Sequence, residues 1–294
     1  MIHKYLRAIG FSKITKRKEI NQLTEVIIND SVRKSYVSVS DDDNVLLAEY
    51  FYYCGKGFGL VLRGEYDEDN KFYPEHIFPF VESSVITTNE ELTVESYVDR
   101  CSYAGIVDDL NVGISIIFYL QEISLYLKNR KKEESSLGKK NVSLTGLCDK
   151  GRILIPLEKN AGQTMMSDIY QFRKTKLTRE ALNGDEAAIE WLSEEDMGEQ
   201  KYVRKKINEE DLFSLVDTSF IPYGIECELY SILGEIIDYE QLDNIVTGEK
   251  IFIMTLLVNG LSIKVAINTA DLEGEIQIGR RFKGIVWLQG NFEY

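Results

Sequence analysis

The sequence is poor in histidine and cysteine, and both shortages exclude classes of function. His3 and His76 are the only two histidines in 294 residues. A Ser-His-Asp or Cys-His catalytic set would have to use one of them, and no G-x-S-x-G nucleophile motif accompanies either. The four cysteines stand singly, without a C-x-x-C pair or the ligand spacing of a structural zinc site. We therefore expect buried free thiols, and neither a disulfide framework nor a hydrolase of these types.

Long apolar runs are also missing. Stretches such as Ile251–Val258 are far shorter than the roughly 20 residues that cross a bilayer. Residues 1–19 mix cations with apolar residues and contain no apolar core of a secretory signal. These absences predict a soluble cytoplasmic protein with no membrane partner.

Charge is distributed unevenly along the chain. Residues 1–34 contain eight cations and three anions, a net charge of +5. Because the whole chain has a net charge of −14, the remaining 260 residues have a net charge of −19. An acidic body repels polyanions. Nucleic acid and anionic membranes are therefore unfavourable partners for most of the surface, and a protein is the favoured partner.

The first 160 residues have the pattern of an α+β domain. Apolar residues at helical spacing predict an amphipathic helix over Lys16–Ser31. Short β-type runs separated by turn residues predict an antiparallel meander over residues 36–86. The stretch from Gly113 begins as a buried strand and passes into a helix, and a hairpin is expected about Asp149–Gly151. The domain is predicted to span residues 1–160.

Two further segments follow. Residues 161–222 are polar with helical periodicity and predict a helical connector. Residues 223–294 return to a β pattern: a long strand with a bend permitted at Gly234, a tight hairpin at Asn259-Gly260, and one or two final strands. About five strands in this order predict a small closed barrel of the OB type.

The final strand segment carries the first candidate site, a group of cations with a tryptophan. Arg280, Arg281, Lys283 and Trp287 lie within eight residues and favour a surface that binds an acidic partner. OB-like barrels also bind single-stranded nucleic acid on basic, aromatic grooves. Residues 224–294 contain five cations against eleven anions, which argues against that alternative. The ordinary reading is a strand edge that happens to carry charge.

A second candidate site is an acidic stretch, residues 64–76. Glu65, Asp67, Asp69 and His76 could hold a divalent metal or act as acid and base. The spacing does not fit a calcium loop of the EF-hand type. A solvated hairpin turn has the same composition, and we favour it.

Four motifs together resemble a bacterial protein family known only as a domain of unknown function. They are "LRAIGFS" (6–12), "GEYDEDNKFYPEH" (64–76), "IFYLQ" (117–121) and "GRRFKGIVWLQG" (279–290). The resemblance spans nearly the whole chain. It implies an intracellular bacterial protein and supplies no catalytic residues to transfer.

The sequence favours a non-catalytic cytoplasmic binding or adaptor protein that needs no cofactor. Its predicted contact surface is the cationic group with Trp287, which would meet an acidic protein surface. Two alternatives remain open: a metal-assisted hydrolase that uses Glu65, Asp67 and His76, and a single-strand nucleic-acid binder that uses the C-terminal barrel.

Overall fold

Strand pairing organises the chain into a small sheet and a large one. The computed structural model describes residues 3–38, 46–97, 102–109, 111–129, 136–154 and 218–293. The helices are a 3-10 helix (Lys4–Ile9), α1 (Arg17–Asp30) and α2 (Ile123–Asn129), with a 3-10 turn at Thr269–Asp271. The strands are β1 (Arg33–Ser38), β2 (Leu46–Gly55), β3 (Phe58–Tyr66), β4 (Phe72–Val81), β5 (Thr88–Ser96), β6 (Tyr103–Asp109), β7 (Ile114–Leu120), β8 (Ser136–Leu154), β9 (Ser219–Pro222), β10 (Leu229–Asp243), β11 (Lys250–Val258), β12 (Leu261–Asn268), β13 (Leu272–Glu273) and β14 (Arg281–Phe292).

Helix α1 confirms the amphipathic helix predicted near the N-terminus. It begins where the Glu19 carboxylate accepts hydrogen bonds from the backbone N–H groups of Thr15 and Lys16, both at 2.9 Å. This contact satisfies two backbone donors just ahead of the first turn, as the acidic side chain of a capping box does. Leu23 and Ile27 are buried on the face that packs against the small sheet.

The small sheet is the predicted antiparallel meander. Strands β1 to β4 pair in chain order, and all three pairings are antiparallel. The β2–β3 hairpin turns at Lys56-Gly57 and places Glu49 directly opposite Arg63. The predicted strand followed by a helix is also confirmed, as β7 and α2.

The large sheet folds into two rings of five strands that share one strand pair. One ring runs β8–β5–β6–β7–β14, and the other runs β8–β12–β11–β10–β14. The β8–β14 ladder belongs to both rings and joins eleven residue pairs. A strand from each half of the chain is therefore needed to close either ring.

Side-chain alternation along β14 divides the core in two. Val286 and Leu288 belong to the cluster that fills the rings, whereas Trp287 between them belongs to the second cluster. That second cluster lies between the outer face of the rings, the small sheet, α1 and the N-terminal 3-10 helix. Successive side chains of a strand face opposite sides, so β14 contributes to both cores.

The hairpin predicted at Asp149–Gly151 is wrong, because β8 continues through it to Leu154. Gly284 of β14 pairs with Gly151 and Val286 pairs with Cys148, so the turn-like residues form a bulge in a continuous strand. The local sequence does not distinguish a turn from a bulge here, because the partner strand that decides between them lies more than a hundred residues away.

Other predicted elements have mixed outcomes. The Asn259-Gly260 hairpin is confirmed, with φ of +48° and +82° as a tight turn of this kind requires. At Gly234 the register with β14 runs on without a shift, and the irregularity in β10 comes between Ile236 and Asp238. Of the helical connector predicted over 161–222, residues 161–217 lie outside the described residues. Its last four residues form strand β9.

Three cysteines lie in the part of the chain that the structure describes. Cys54 and Cys148 are buried free thiols, as predicted, whereas Cys227 is exposed. Burial raises the pKa of both the Cys54 and Cys148 thiols to about 12. Cys101 lies outside the described residues. Within the described ranges, no helix is both long and apolar enough to span a membrane.

The packing of the rings leaves no room for a side chain at Gly105 of β6. A Cβ atom there would lie 2.1 Å from Cζ of Phe118 on the neighbouring strand β7. We expect Gly105→Ala to lower the free energy of unfolding by about 1–3 kcal/mol, measured by chemical denaturation. In a Phe118→Leu background the same substitution should cost clearly less, because the obstructing ring is gone. Equal costs in both backgrounds would contradict this packing.

Candidate functional site

A fully buried ion pair lies between the small sheet and the rings. Glu49 of β2 and Arg63 of β3 both have side chains with no solvent exposure. The Glu49 Oε1 atom accepts hydrogen bonds from Arg63 Nε at 3.0 Å and Nη2 at 2.7 Å. Glu49 also accepts from the first backbone N–H groups of α2, from Ile123 at 3.3 Å and Ser124 at 2.8 Å. Both charges are thus surrounded by hydrogen-bond partners, as buried charges require.

The guanidinium of Arg63 also makes hydrogen bonds on the side that faces the rings. Its Nη1 donates to the Tyr119 hydroxyl of β7 at 2.7 Å, and the Ser102 hydroxyl lies 3.3 Å from the same oxygen. Its Nη2 also donates to the backbone oxygen of Gln121 at 3.1 Å. A continuous buried polar chain therefore leads from the start of α2 to Tyr119 and Ser102.

Tyr119 and Ser102 line a large open cavity of about 1290 Å³. The cavity lies where the N-terminal segment, α1, β4 and the outer face of the rings meet. A stripe of α1 side chains at helical spacing forms part of the lining: Arg17, Ile20, Asn21, Thr24, Glu25 and Ile28. The other lining residues are His3, Lys4, Tyr5, Leu62, Pro74, Glu75, His76, Ile77, Phe78, Ser102, Tyr119, Glu226 and Trp287.

Aromatic rings form another part of the lining. Trp287 is central: its ring centroid lies 4.3 Å from that of His3, 5.1 Å from Tyr119 and 5.9 Å from Tyr5, with which it is nearly parallel. Phe78 meets both Tyr119 and Trp287 edge to face. We call these five residues the aromatic wall. Rings in such a cluster hold one another in place and present π-faces for stacking.

Two buried polar atoms of the aromatic wall have no hydrogen-bond partner among the described residues. They are Nδ1 of His3 and the hydroxyl of Tyr5, whose side chain is almost wholly buried at 2% exposure. Burial lowers the pKa of His3 to about 4, with smaller contributions from Lys4 and His76, so its imidazole is neutral at pH 7. Burial also raises the pKa of Tyr5, which stays protonated. A buried polar atom without a partner is energetically unfavourable, and a water molecule or a ligand group that hydrogen-bonds it would remove that cost.

One comparison with known proteins finds a match. Residues 6–290 match a family described as "Domain of unknown function, E. rectale Gene description (DUF3881)". The chain belongs to this family. The resemblance inferred from the four sequence motifs is thus confirmed. No curated protein and no solved structure matches the chain, so DUF3881 membership supplies no activity.

The cationic group does not form an exposed strand edge in this DUF3881 chain. Strand β14 pairs with β8 on one side and β10 on the other, so the edge interpretation is wrong. Arg281 and Trp287 are only 8% and 7% exposed. Arg280 precedes the strand and forms an ion pair with Glu275 at 3.5 Å, and Lys283 is half-buried. Trp287 belongs instead to the aromatic wall, and a protein-binding role for the three cations stays a prediction.

The acidic stretch forms a hairpin turn between β3 and β4. Asp67 Oδ1 accepts from the backbone N–H groups of Asp69 and Lys71 at 3.0 and 2.8 Å, and these bonds lower the pKa of its carboxyl group. Within the described ranges, no three His, Cys, Asp or Glu side chains are placed to hold a metal ion. Glu65, Asp67, Asp69 and His76 are therefore not gathered into one ligand set, and His76 lines the cavity instead.

Sequence reasoning missed most of this site. Both of the chain's histidines line one cavity, and their scarcity was a usable signal. Glu49 and Arg63 each interrupt an apolar strand run, "LLAEYFYY" and "GLVLRGEY". Aligning those runs as a hairpin about Lys56-Gly57 places the two charges opposite each other. Tyr119, Ser102 and Tyr5 had no comparable local signal.

The ion pair predicts a strongly asymmetric response to mutation. We expect Glu49→Leu to lower the free energy of unfolding by about 3–5 kcal/mol, because it leaves the Arg63 charge buried without a counterion. The double variant Glu49→Leu/Arg63→Met should be more stable than Glu49→Leu alone. Chemical denaturation of the four members of this cycle measures both effects. A double variant less stable than either single variant would argue against the pair as described.

The neutral state of His3 predicts a stability loss in mild acid. Between its ordinary value of 6.5 and its folded-state value of about 4, the unfolded chain binds a proton at His3 that the folded chain does not. Stability contributed by neutral His3 is therefore complete above pH 6.5 and is lost as the pH falls to 4, by about 3 kcal/mol in all. Comparing the protein with its His3→Gln variant across this range isolates the effect from that of the carboxylates. Parallel curves would contradict the burial of His3.

Proposed function

We propose that this protein is a binding protein whose cavity takes a small molecule with a planar aromatic body. The observation that carries the proposal is the aromatic wall with the two partnerless buried atoms, His3 Nδ1 and the Tyr5 hydroxyl. An apolar, aromatic lining with a few polar groups is typical of small-molecule sites. The proposal keeps the predicted binding role and moves it from a charged surface to a cavity.

Stacking favours a flat ligand. Trp287 and Tyr5 are inclined by only 16° to each other, and Trp287 stays slightly accessible at 7% exposure. A planar ring that lies against these faces gains contact area and offset stacking, about 0.5–1.5 kcal/mol beyond the apolar area buried. The α1 stripe adds Ile20 and Ile28 to the lining as further apolar contacts for such a ring.

Charge around the cavity argues against a polyanionic ligand. Its lining contains the cations Lys4 and Arg17 and the anions Glu25, Glu75 and Glu226. With neutral His3 the local balance is slightly negative, and the chain carries −14 overall. Binding a polyphosphate here would bring like charges together, so we favour a neutral or weakly cationic ligand.

The OB-like character of the C-terminal barrel is part of the same proposal. Five strands close the ring β8–β12–β11–β10–β14, with one parallel neighbour pair, β12–β8. That count supports a small barrel of this type. The ring borrows β8 from the N-terminal half, and the proposed ligand lies on its outer face beside β14.

Trp287 supplies a direct test. In a Trp191→Phe background Trp287 is the chain's one tryptophan, and its fluorescence reports on the cavity. We expect adenosine, riboflavin or para-hydroxyacetophenone to change that fluorescence in a saturable way. Trp287→Leu should weaken binding of the same probe by roughly tenfold, measured by ligand-observed NMR.

The matched control is Tyr239→Ala, which removes an exposed aromatic ring of β10 that is not part of the cavity lining. It should leave binding unchanged. If no probe alters the fluorescence up to its solubility limit, or if both variants bind as the unmodified chain does, the cavity is not a site for planar ligands.

A further inference from the structure

We propose that the ligand carries amide groups next to its aromatic ring, as a blocked aromatic amino acid does, and that these groups pair with the backbone of Ile77 at the edge of β4. This inference rests on the proposed function, because it concerns the same cavity and narrows the class of ligand. The position of Ile77 in the small sheet carries the argument.

Strand β4 is the last strand of the small sheet, and its outer edge faces the cavity. The sheet runs β1–β2–β3–β4, so among the described strands β4 pairs only with β3. Five consecutive residues of β4, from Pro74 to Phe78, line the cavity. Successive side chains of a strand face opposite sides of the sheet, so a cavity on one face would meet alternate residues. Five lining residues in a row indicate that the cavity runs along the edge of the strand.

The register of β4 shows that the backbone groups of Ile77 point to this edge. Just after β4, the backbone N–H of Glu82 donates to the backbone oxygen of Gly57 at 2.8 Å, so residue 82 faces β3. In an antiparallel pair, hydrogen-bonded residues alternate with residues whose N–H and C=O point away from the partner strand. The pairing runs without a shift from Val81 to His76. Ile77, five residues before Glu82, therefore points away from β3.

In contrast to the two outward-facing residues that follow it, Ile77 has no partner for its backbone oxygen. The backbone oxygen of Val81 accepts from Gln121 Nε2 at 2.9 Å, and that of Pro79 accepts from Gln289 Nε2 at 2.8 Å. Within the described part of the chain, neither the oxygen nor the N–H of Ile77 has a hydrogen-bond partner across the edge. A ligand amide can satisfy both groups, as an added strand does.

The free edge is short, which limits the amide part of the ligand. On one side of Ile77, Gln289 occupies the backbone oxygen of Pro79. On the other side the register with β3 shifts after His76, where the strand bulges. One ligand residue can donate its N–H to the Ile77 oxygen and accept from the Ile77 N–H through its C=O, but a longer strand finds no regular ladder. This favours a small aromatic amide over an extended protein segment.

The aromatic wall lies beside the same edge. Phe78 follows Ile77 in the strand, and its ring meets Trp287 edge to face with centroids 6.4 Å apart. A ligand residue that pairs with Ile77 therefore lies next to the wall, where its ring can stack. The backbone groups of Ile77 carry no net charge, so a neutral amide loses less hydration there than a carboxylate or a phosphate would.

Two probes with the same phenol ring test the pairing. N-acetyl-tyrosinamide offers the N–H and C=O of one residue, whereas N-acetyl-N-methyl-tyrosinamide lacks that N–H. We expect the intact protein to bind the first about three- to tenfold more tightly in ligand-observed NMR titrations, because the methylated probe cannot donate to the Ile77 oxygen. Trp287→Leu should weaken binding of both probes.

Ile77→Pro tests the same contact from the protein side, because proline has no N–H. Pro79 occupies the next outward-facing position of β4, so a proline is compatible with the β3–β4 ladder at such a position. Ile77→Val is the matched control, since it keeps the N–H and its side chain has as many carbons as that of proline. We expect Ile77→Pro to bind N-acetyl-tyrosinamide about three- to tenfold less tightly than Ile77→Val does. Chemical denaturation checks that both variants fold.

The outcomes separate this inference from the proposed function. Equal affinity of the intact protein for the two amide probes, or of Ile77→Pro and Ile77→Val for N-acetyl-tyrosinamide, would overturn the pairing with Ile77. If adenosine, riboflavin or para-hydroxyacetophenone binds saturably and N-acetyl-tyrosinamide does not, this inference fails and the proposed function stands. Absence of saturable binding by all of these probes would overturn both.

Two further comparisons complete the test. A blocked pentapeptide with tyrosine at its centre and alanine elsewhere should bind no more tightly than N-acetyl-tyrosinamide, and a tenfold gain would overturn the assignment to a small amide. If Ile77→Pro does not fold, the comparison of the two amide probes on the intact protein decides.

Discussion

The buried Glu49–Arg63 ion pair is the contact on which the arrangement of the site depends. Its members come from adjacent strands of the small sheet, yet they also hydrogen-bond the start of α2, Tyr119 of β7 and the backbone of Gln121. Two charges removed from water are tolerated only when each lone pair and each N–H finds a partner. Any shift of the small sheet relative to the rings would break several of these bonds at once. The pair therefore limits where the small sheet can dock.

The second constraint is the ladder between β8 and β14. It belongs to both rings, and the side chains of β14 alternate between the ring interior and the outer face. Trp287 is the outward side chain where the small sheet and the N-terminal segment meet the rings. The residues that meet around it come from distant parts of the chain: His3 and Tyr5 from the start, Tyr119 from the middle. The cavity exists because these surfaces converge without filling the space between them.

Local patterns predicted the elements well and the long-range arrangement poorly. Helix α1, the meander and the Asn259-Gly260 hairpin follow from periodicity and turn chemistry within about 15 residues, and all three are present. The false hairpin at Asp149–Gly151 shows the limit, since its identity as a bulge depends on β14, more than 130 residues later. The Glu49–Arg63 pair could have been predicted by aligning the two strands of the β2–β3 hairpin. The contact between His3 and Trp287 could not, because no local pattern connects residues 284 positions apart.

The electrostatics of the cavity interior differ from those of the chain as a whole. Inside, Arg63 is neutralised by Glu49, and burial keeps His3 neutral and Tyr5 protonated, so the interior offers hydrogen bonds and ring faces with little net charge. The charged side chains among the lining, Lys4, Arg17, Glu25, Glu75 and Glu226, are of mixed sign. The overall charge of −14 then acts mainly at long range, where it repels polyanions before they reach the cavity. Between neutral molecules that charge makes no distinction, so any such distinction would come from the shape of the aromatic wall and from the direction of its hydrogen bonds.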